Sequence, residues 1–284
     1  MSAPVFYPAT DLTSVMPGGR FRLDGPEGRH AATVRRIGSG ETVEVCDGSG
    51  RRLTCVVTGT AKDALELSVR SVVVEAAPTP ALELVQALAK QDRDLQAVET
   101  ATELGVDVVV PWQADRSIVR WKADRAAKSA GKWESVLRAA AQQSRRAWIP
   151  RLADLTGTRA LAARIAAGTK DGSLAAVVLH EDAATPLSAV LAEITGVAGA
   201  DAEPTGATGE DTDAAGTETG QDAAASTLRR VLLIVGPEGG IGPDELAALT
   251  DAGARLAVLG PHVLRSSTAG PAALALASVQ LGRW

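Results

Sequence analysis

Two short segments hold residue types that could do chemistry. The first, VGPEGGIGPDEL, begins at Val235, after an apolar strand and before a helix signal. Pro243 suits that helix's first turn, and Asp244 and Glu245 sit beside its positive end. The glycines let backbone amides and carbonyls approach a ligand closely. Two familiar phosphate-binding patterns fail here. The residue two after Gly236 is Glu238, so G-x-G-x-x-G is absent, and no Lys-Ser/Thr pair follows. The plain alternative is a tight strand–helix turn. The second segment, LGPHVLRSSTAG (259–270), also ends a strand and leads through an irregular loop into a helix. Ser267 or Thr268 could merely cap that helix. Arg265, in a loop at the strand's C-terminal edge, is harder to explain as structure. A third strand runs out in LHED (179–182). Ligands of parallel α/β sheets bind where strands end, so these loops make one composite crevice. No metal is called for. His30, His180 and His262 are scattered, and Cys46 and Cys55 flank a DGSG turn as small residues of neighbouring strands.

Charge points to an anionic partner. The chain has 29 bases and 34 acids, a net −5. Seven of the acids lie in 196–227, which has no base; without them 29 bases face 27 acids, a net +2. Residues 116–151 carry ten bases against Asp124 and Glu134, and Trp121, Trp133 and Trp148 are interleaved with them. Cations meet phosphates and flat rings stack on exposed bases, so this window suits nucleic acid. Each tryptophan taken singly reads first as core, and a solvated basic face is the alternative for the cluster.

The elements that must position these groups divide in two. Residues 1–75 read as short strands (RFRL, TVEVCD, LTCVVTG, LELSVRSVVV) with turns at GPEG 25–28, GSG 38–40 and DGSG 47–50, a small barrel or sandwich. AAPTPA (76–81) is a proline-bearing joint. From 80 to 284 strands alternate with helices. LELVQAL, VDVVVP, AAVVLH, RRVLLIVG and ARLAVLG (254–260) are apolar strands. A helix over DRDLQAVETATELG puts Leu95, Val98 and Thr102 on one face; a helix over 131–146 turns Arg138, Gln142 and Arg145 outward; a last helix covers about 269–281. This is an α/β domain with a parallel sheet covered on both faces. The stretch 196–227, rich in Ala, Gly, Thr and acids, buries too little to offset its ordering entropy and is expected to be a disordered insertion.

Composition sets outer bounds. With 284 residues, 45% hydrophobic and 22% charged, the chain is neither fibrous nor wholly disordered. It has no apolar run of membrane-spanning length, no secretory signal and too few cysteines for a disulfide framework, so a cytoplasmic protein with reduced thiols is expected.

Five motifs resemble one family in order and spacing: TELGV (102–106), DRS (115–117), QQSRR (142–146), VGPEGG (235–240) and LGPHVLRSSTAG. They are similar to the RsmE family of 16S ribosomal RNA uridine-N3 methyltransferases, in the SPOUT superfamily. RHAATVRRIGSGETVEVCDGSG is similar to that family's opening domain. The likeness spans nearly the whole chain except 196–227. It implies a PUA-like β-barrel over 1–75 that helps hold RNA and a trefoil-knotted parallel-sheet methyltransferase domain over 80–284. It also implies a homodimer and a 16S ribosomal RNA partner within the small ribosomal subunit. S-adenosylmethionine would be the cofactor, touched mostly through backbone by Leu179, His180, Gly236, Pro237, Glu238, Gly239, Gly240, Leu259, Gly260 and Leu264. Arg265 is expected as the catalytic residue, stabilising negative charge on the uracil oxygens. His262 and Glu238 are the candidates for a base. RNA is expected on Arg20, Arg22, His30, Arg35, Arg36, Arg116, Arg138, Arg145 and Arg146. The chain departs from the family pattern at His262, often Arg; at Ser267 and Gln142, often Glu; and at Pro4–Val5–Phe6, where Arg-Phe is usual. The alternatives are a SPOUT enzyme acting on transfer RNA or a ribose hydroxyl, or a non-catalytic ribosome-assembly factor.

Overall fold

The computed structural model describes residues 3–122, 124–196 and 227–284. Residues 197–226 of the expected insertion lie outside the described residues.

In the first 75 residues five strands form one sheet. The order along the chain is β1 (Val5–Phe6), β2 (Arg20–Leu23), helix α1 (Gly25–Arg29), a π turn (His30–Val34), β3 (Thr42–Cys46), β4 (Arg51–Ala61) and β5 (Ala64–Val74). Across the sheet the order is β1-β3-β4-β5-β2, antiparallel except for β1 with β3. Alternation puts Val43, Val45, Leu53, Cys55, Val57, Leu65, Leu67 and Val69 into one core with Phe6, Phe21 and Leu23. The expected turn at 25–28 is instead the start of α1, with Pro26 in its first turn.

The second sheet is parallel throughout. Its elements are β6 (Ala81–Ala87), α2 (Arg93–Glu103), β7 (Val108–Gln113), α3 (Ala126–Gln143), β8 (Arg151–Leu152), β9 (Thr156–Gly157), α4 (Thr158–Lys170), β10 (Leu174–Leu179), α5 (Leu187–Thr195), β11 (Arg230–Val235), α6 (Pro243–Asp251), β12 (Arg255–Ala257) and α7 (Ser266–Gln280). The strand order is β12-β10-β11-β6-β7-β8, with β9 also on β7. Both faces are apolar, which is why these strands read as continuous hydrophobic runs. Leu82, Leu84, Val231 and Leu233 pack on the face covered by α2, α3, α5 and α7. Val85, Leu232 and Ile234 pack on the face covered by α4 and α6. Buried Glu83 on that second face is paired with Arg164 of α4.

The last strand threads an arch. Ala257 O accepts the His180 N–H at 3.0 Å on one side. On the other side Val258 exchanges hydrogen bonds with Thr185 and Leu187, at 3.0 and 2.9 Å. Segment 179–187 therefore passes over the chain at 257–258. Helix α7 then lies not at that sheet edge but inward, on β11 and β6. Its small first turns allow this: a Cβ on Gly270 would stand 2.8 Å from Leu84 Cδ1. This threading is what the expected trefoil knot requires, an exception to the rule against threaded loops.

The two sheets are joined by a strap. Ile149 N–H donates to Gly48 O at 2.9 Å, Trp148 Nε1–H to Glu75 O at 3.1 Å and the Tyr7 hydroxyl to Arg146 O at 2.6 Å. Below it, Asp107 gathers Arg283 at 2.8 Å, Arg146 at 3.7 Å and the Leu82 amide at 2.8 Å.

Candidate active site

The C-terminal ends of β12, β10 and β11 lie side by side, and the loops that leave them enclose a pocket of about 820 Å³. That volume is in the range of small-molecule and cofactor sites. Leu179 and His180 come from the end of β10, Gly236 to Gly240 from the end of β11, and Leu259, Gly260, Leu264 and Arg265 from the loop after β12. Every residue expected to touch the cofactor, together with Arg265, thus lines one pocket. Arg116 lines it as well.

Local geometry explains the glycines. A Cβ on Gly236 would lie 2.7 Å from Ile241 Cγ1, and Gly240 sits at φ +73°, where side chains are strained. Three contacts pin this loop. Arg116 Nη1 donates to Gly239 O at 3.1 Å. Glu238 Oε1 accepts the Lys90 amide at 3.1 Å and Arg93 Nη1 at 3.4 Å. Glu238 is therefore a tether between the ends of β11 and β6, and the same oxygen is committed to both donors.

Arg265 caps α7 with its backbone: its carbonyl accepts the amides of Thr268 at 2.8 Å and Ala269 at 3.0 Å. Ser267 and Thr268 are inside the helix, so neither provides the side-chain cap the sequence allowed for. The Arg265 side chain is exposed and makes no hydrogen bond or ion pair among the described residues. His180 Nδ1 accepts the Asp182 amide at 3.2 Å. His262 stands exposed on the rim. Ser266, 7% exposed and lining the pocket, has a hydroxyl with no hydrogen-bond partner among the described residues. A buried orphan hydroxyl in a pocket wall fits a ligand with polar atoms.

The arginines expected to meet RNA do not share one surface. Arg20, Arg22, His30, Arg35 and Arg36 are exposed on the first-sheet unit, where Arg22 pairs with Glu66 and His30 meets the Phe6 ring edge-on at 6.1 Å. Arg138 and Gln142 of α3 do not project freely: they bind the first-sheet unit. Arg138 donates to Tyr7 O and stands 5.3 Å over the Tyr7 ring, while Gln142 Nε2 donates to Val5 O at 2.9 Å and Glu27 at 3.1 Å. Arg146 is turned inward, donating to Thr102 O at 2.8 Å; burial pulls its pKa down and the Asp107 charge opposes that. Arg145 is exposed, with its carbonyl held by Arg52 at 3.1 Å. Trp112 and Trp133 are core, and Trp121 packs edge-on against Trp133 at 5.5 Å. Reading the sequence did not single out Lys90, Arg93 or the bonding of Glu245; their partners are far away in the chain.

The comparisons agree with this architecture. A family model described as an RNA methyltransferase domain matches residues 75–278, and one described as an RNA methyltransferase PUA domain matches 23–70. Ribosomal RNA small subunit methyltransferase E of Mycobacterium bovis is 40% identical over 262 residues, 92% of this chain and 87% of that one. The protein of the same name from Bacillus subtilis is 27% identical over 92% of this chain and 90% of its own. Among solved structures, ribosomal RNA small subunit methyltransferase E of Neisseria gonorrhoeae, bound to S-adenosyl methionine, superposes with a TM-score of 0.73 at 23% identity, covering 98% of both chains. An α/β methyltransferase domain with a parallel sheet behind a PUA-like opening unit, expected from the motifs, is the fold of this chain. With a model covering most of its length and a relative of this identity, the chain belongs to the RNA methyltransferase family that contains ribosomal RNA small subunit methyltransferase E.

Proposed function

We propose that this protein uses S-adenosylmethionine to methylate N3 of a uridine in 16S ribosomal RNA. The observation that carries the reading is the single pocket at three adjacent strand ends, walled by backbone and apolar groups, with an unpaired Arg265 at its mouth. The residues present suit the donor. Val235, Ile241, Leu246 and Val258 offer an apolar wall, the 236–240 and 259–264 loops offer close backbone groups, and Ser266 offers a buried hydroxyl. When bound, S-adenosylmethionine supplies an electrophilic methyl group on its sulfonium. The chain's residues must hold uracil N3 against that point, which is mainly a positioning task. They must also stabilise the charge left when N3 gives its proton to water at the pocket mouth, a charge that spreads onto the two uracil oxygens. The exposed Arg265 guanidinium can donate to those oxygens. Arg116, tied to Gly239 O, holds its charge at the same mouth for a phosphate or base.

In this reading residues 1–75 hold RNA and 80–284 carry the reaction, in the cytoplasm and within the small subunit. Exposed Val279 and Trp284 at the end of α7 suit a partner copy in a homodimer. Calorimetric titration with S-adenosylmethionine tests the donor. Mass analysis of ribosomal RNA from a deletion strain tests the target: one N3-methyluridine should disappear. A missing transfer RNA or ribose methyl group would select the alternative enzyme, and unaltered RNA with an assembly defect would select the non-catalytic factor.

A further inference from the structure

Glu245 is 3% exposed and does not line the pocket, yet three separate segments converge on its carboxylate. Oε2 accepts the Gly242 amide at 3.2 Å. Oε1 accepts the Asp115 amide at 3.0 Å and the Thr158 hydroxyl at 2.5 Å. Trp112 Nε1–H donates to the same Thr158 oxygen at 3.2 Å, so the hydroxyl proton is directed at Glu245. Each of the three groups bonded to the carboxylate thus offers a hydrogen, and a carboxylate, with acceptor sites on both oxygens, satisfies all three. Capping α6 needs the Gly242 bond alone. The other two bonds reach the Asp115–Arg116 segment and the start of α4. The Arg116 segment is therefore tied both to the glycine loop, through Arg116 to Gly239 O, and to α6 behind it, through Asp115 to Glu245.

We propose that Glu245 is a positioning residue, whose carboxylate clamps the glycine loop 236–242, the Asp115–Arg116 segment and the start of α4 into one unit. The clamp fixes the pocket wall against the Arg116 guanidinium, so that donor and RNA are presented in one geometry. This rests on the donor-site reading above, and the two can fail separately.

The test compares wild type, E245Q and, as a control for stability alone, L161A in the buried core of α4. Glutamine keeps the shape but sets an NH2 group against a donor. In the ligand-free protein, hydrogen exchange of the amides of 239–242 and 115–117 should quicken at least tenfold in E245Q and stay unchanged in L161A. The dissociation constant for S-adenosylmethionine should rise about tenfold in E245Q and stay within twofold in L161A. At saturating donor, E245Q should still turn over RNA more slowly. Should E245Q fail to fold, T158V replaces it: a three- to fivefold loss of donor affinity is expected, with T158S close to wild type. Unchanged exchange in E245Q, or equal effects in L161A, would overturn the clamp. Wild type that fails to bind S-adenosylmethionine while E245Q still loosens both segments would overturn the donor site and leave the clamp standing.

Discussion

At the mouth of the pocket, Arg265 is held by its backbone and free at its guanidinium. That arrangement fixes where the charge starts and leaves it able to reach a substrate. Arg265→Ala is expected to lower the methylation rate about 100-fold, in the range found for loss of one donor to a developing oxyanion. Donor affinity, measured calorimetrically, should stay within twofold; near-normal turnover would remove Arg265 from the reaction. Such residues were legible in the sequence where local backbone demands a type. Gly236 has no room for a Cβ and Gly240 has a positive φ, so the motif announces its own shape. Glu238 and Glu245 were not legible in the same way. Beyond its local bond to Gly242, the partners of Glu245 are 130 and 87 residues away, and those of Glu238 are 148 and 145 away, so each tethering role exists only after folding.

Among the elements, the β3–β4 hairpin offers a prediction of its own. Cys46 and Cys55 are free and buried, and desolvation pushes their thiols up to about 12 and about 11. An unfolded thiol ionises near ~8.5, so the native chain keeps protons that the unfolded chain releases above that pH. Stability should therefore fall as pH rises from there toward 11–12, seen as a declining thermal midpoint. Iodoacetamide at mildly alkaline pH should leave both thiols unmodified until denaturant is added; rapid labelling of native protein would contradict their burial. Element positions came through the sequence well where apolar periodicity was strong, as in β6, β7, β10 and β11. They came through less well where tertiary contacts set the limits. Strand β12 is only Arg255–Ala257, shorter than the expected 254–260, because Val258 pairs with the arch at 185–187. Helix α7 starts at Ser266, three residues earlier than expected, because Arg265 caps it through its carbonyl. The outward face assigned to α3 is a joint with the first-sheet unit, and polar residues alone do not distinguish a joint from a solvated face.

Across the whole molecule, the strap at Gly48–Gly50, Glu75 and Ala147–Ile149 joins the PUA-like unit to the pocket-bearing one. Charge on the first unit should then count toward the affinity of the entire chain for RNA. Arg20 and Arg36 are exposed and make no ion pair among the described residues. Replacing both by glutamine should flatten the dependence of log affinity on log salt by about 0.7–0.9 for each phosphate no longer neutralised. An unaltered slope would place the RNA path elsewhere. The threaded arch has a consequence for how the enzyme comes into being. Residues 179–182 and 259–266 both wall one chamber, and the second stretch directly follows the 257–258 segment that the arch at 180–187 grips on both sides. A chain still lacking those residues has no chamber, so competence to receive a methyl donor waits on the placing of that second wall.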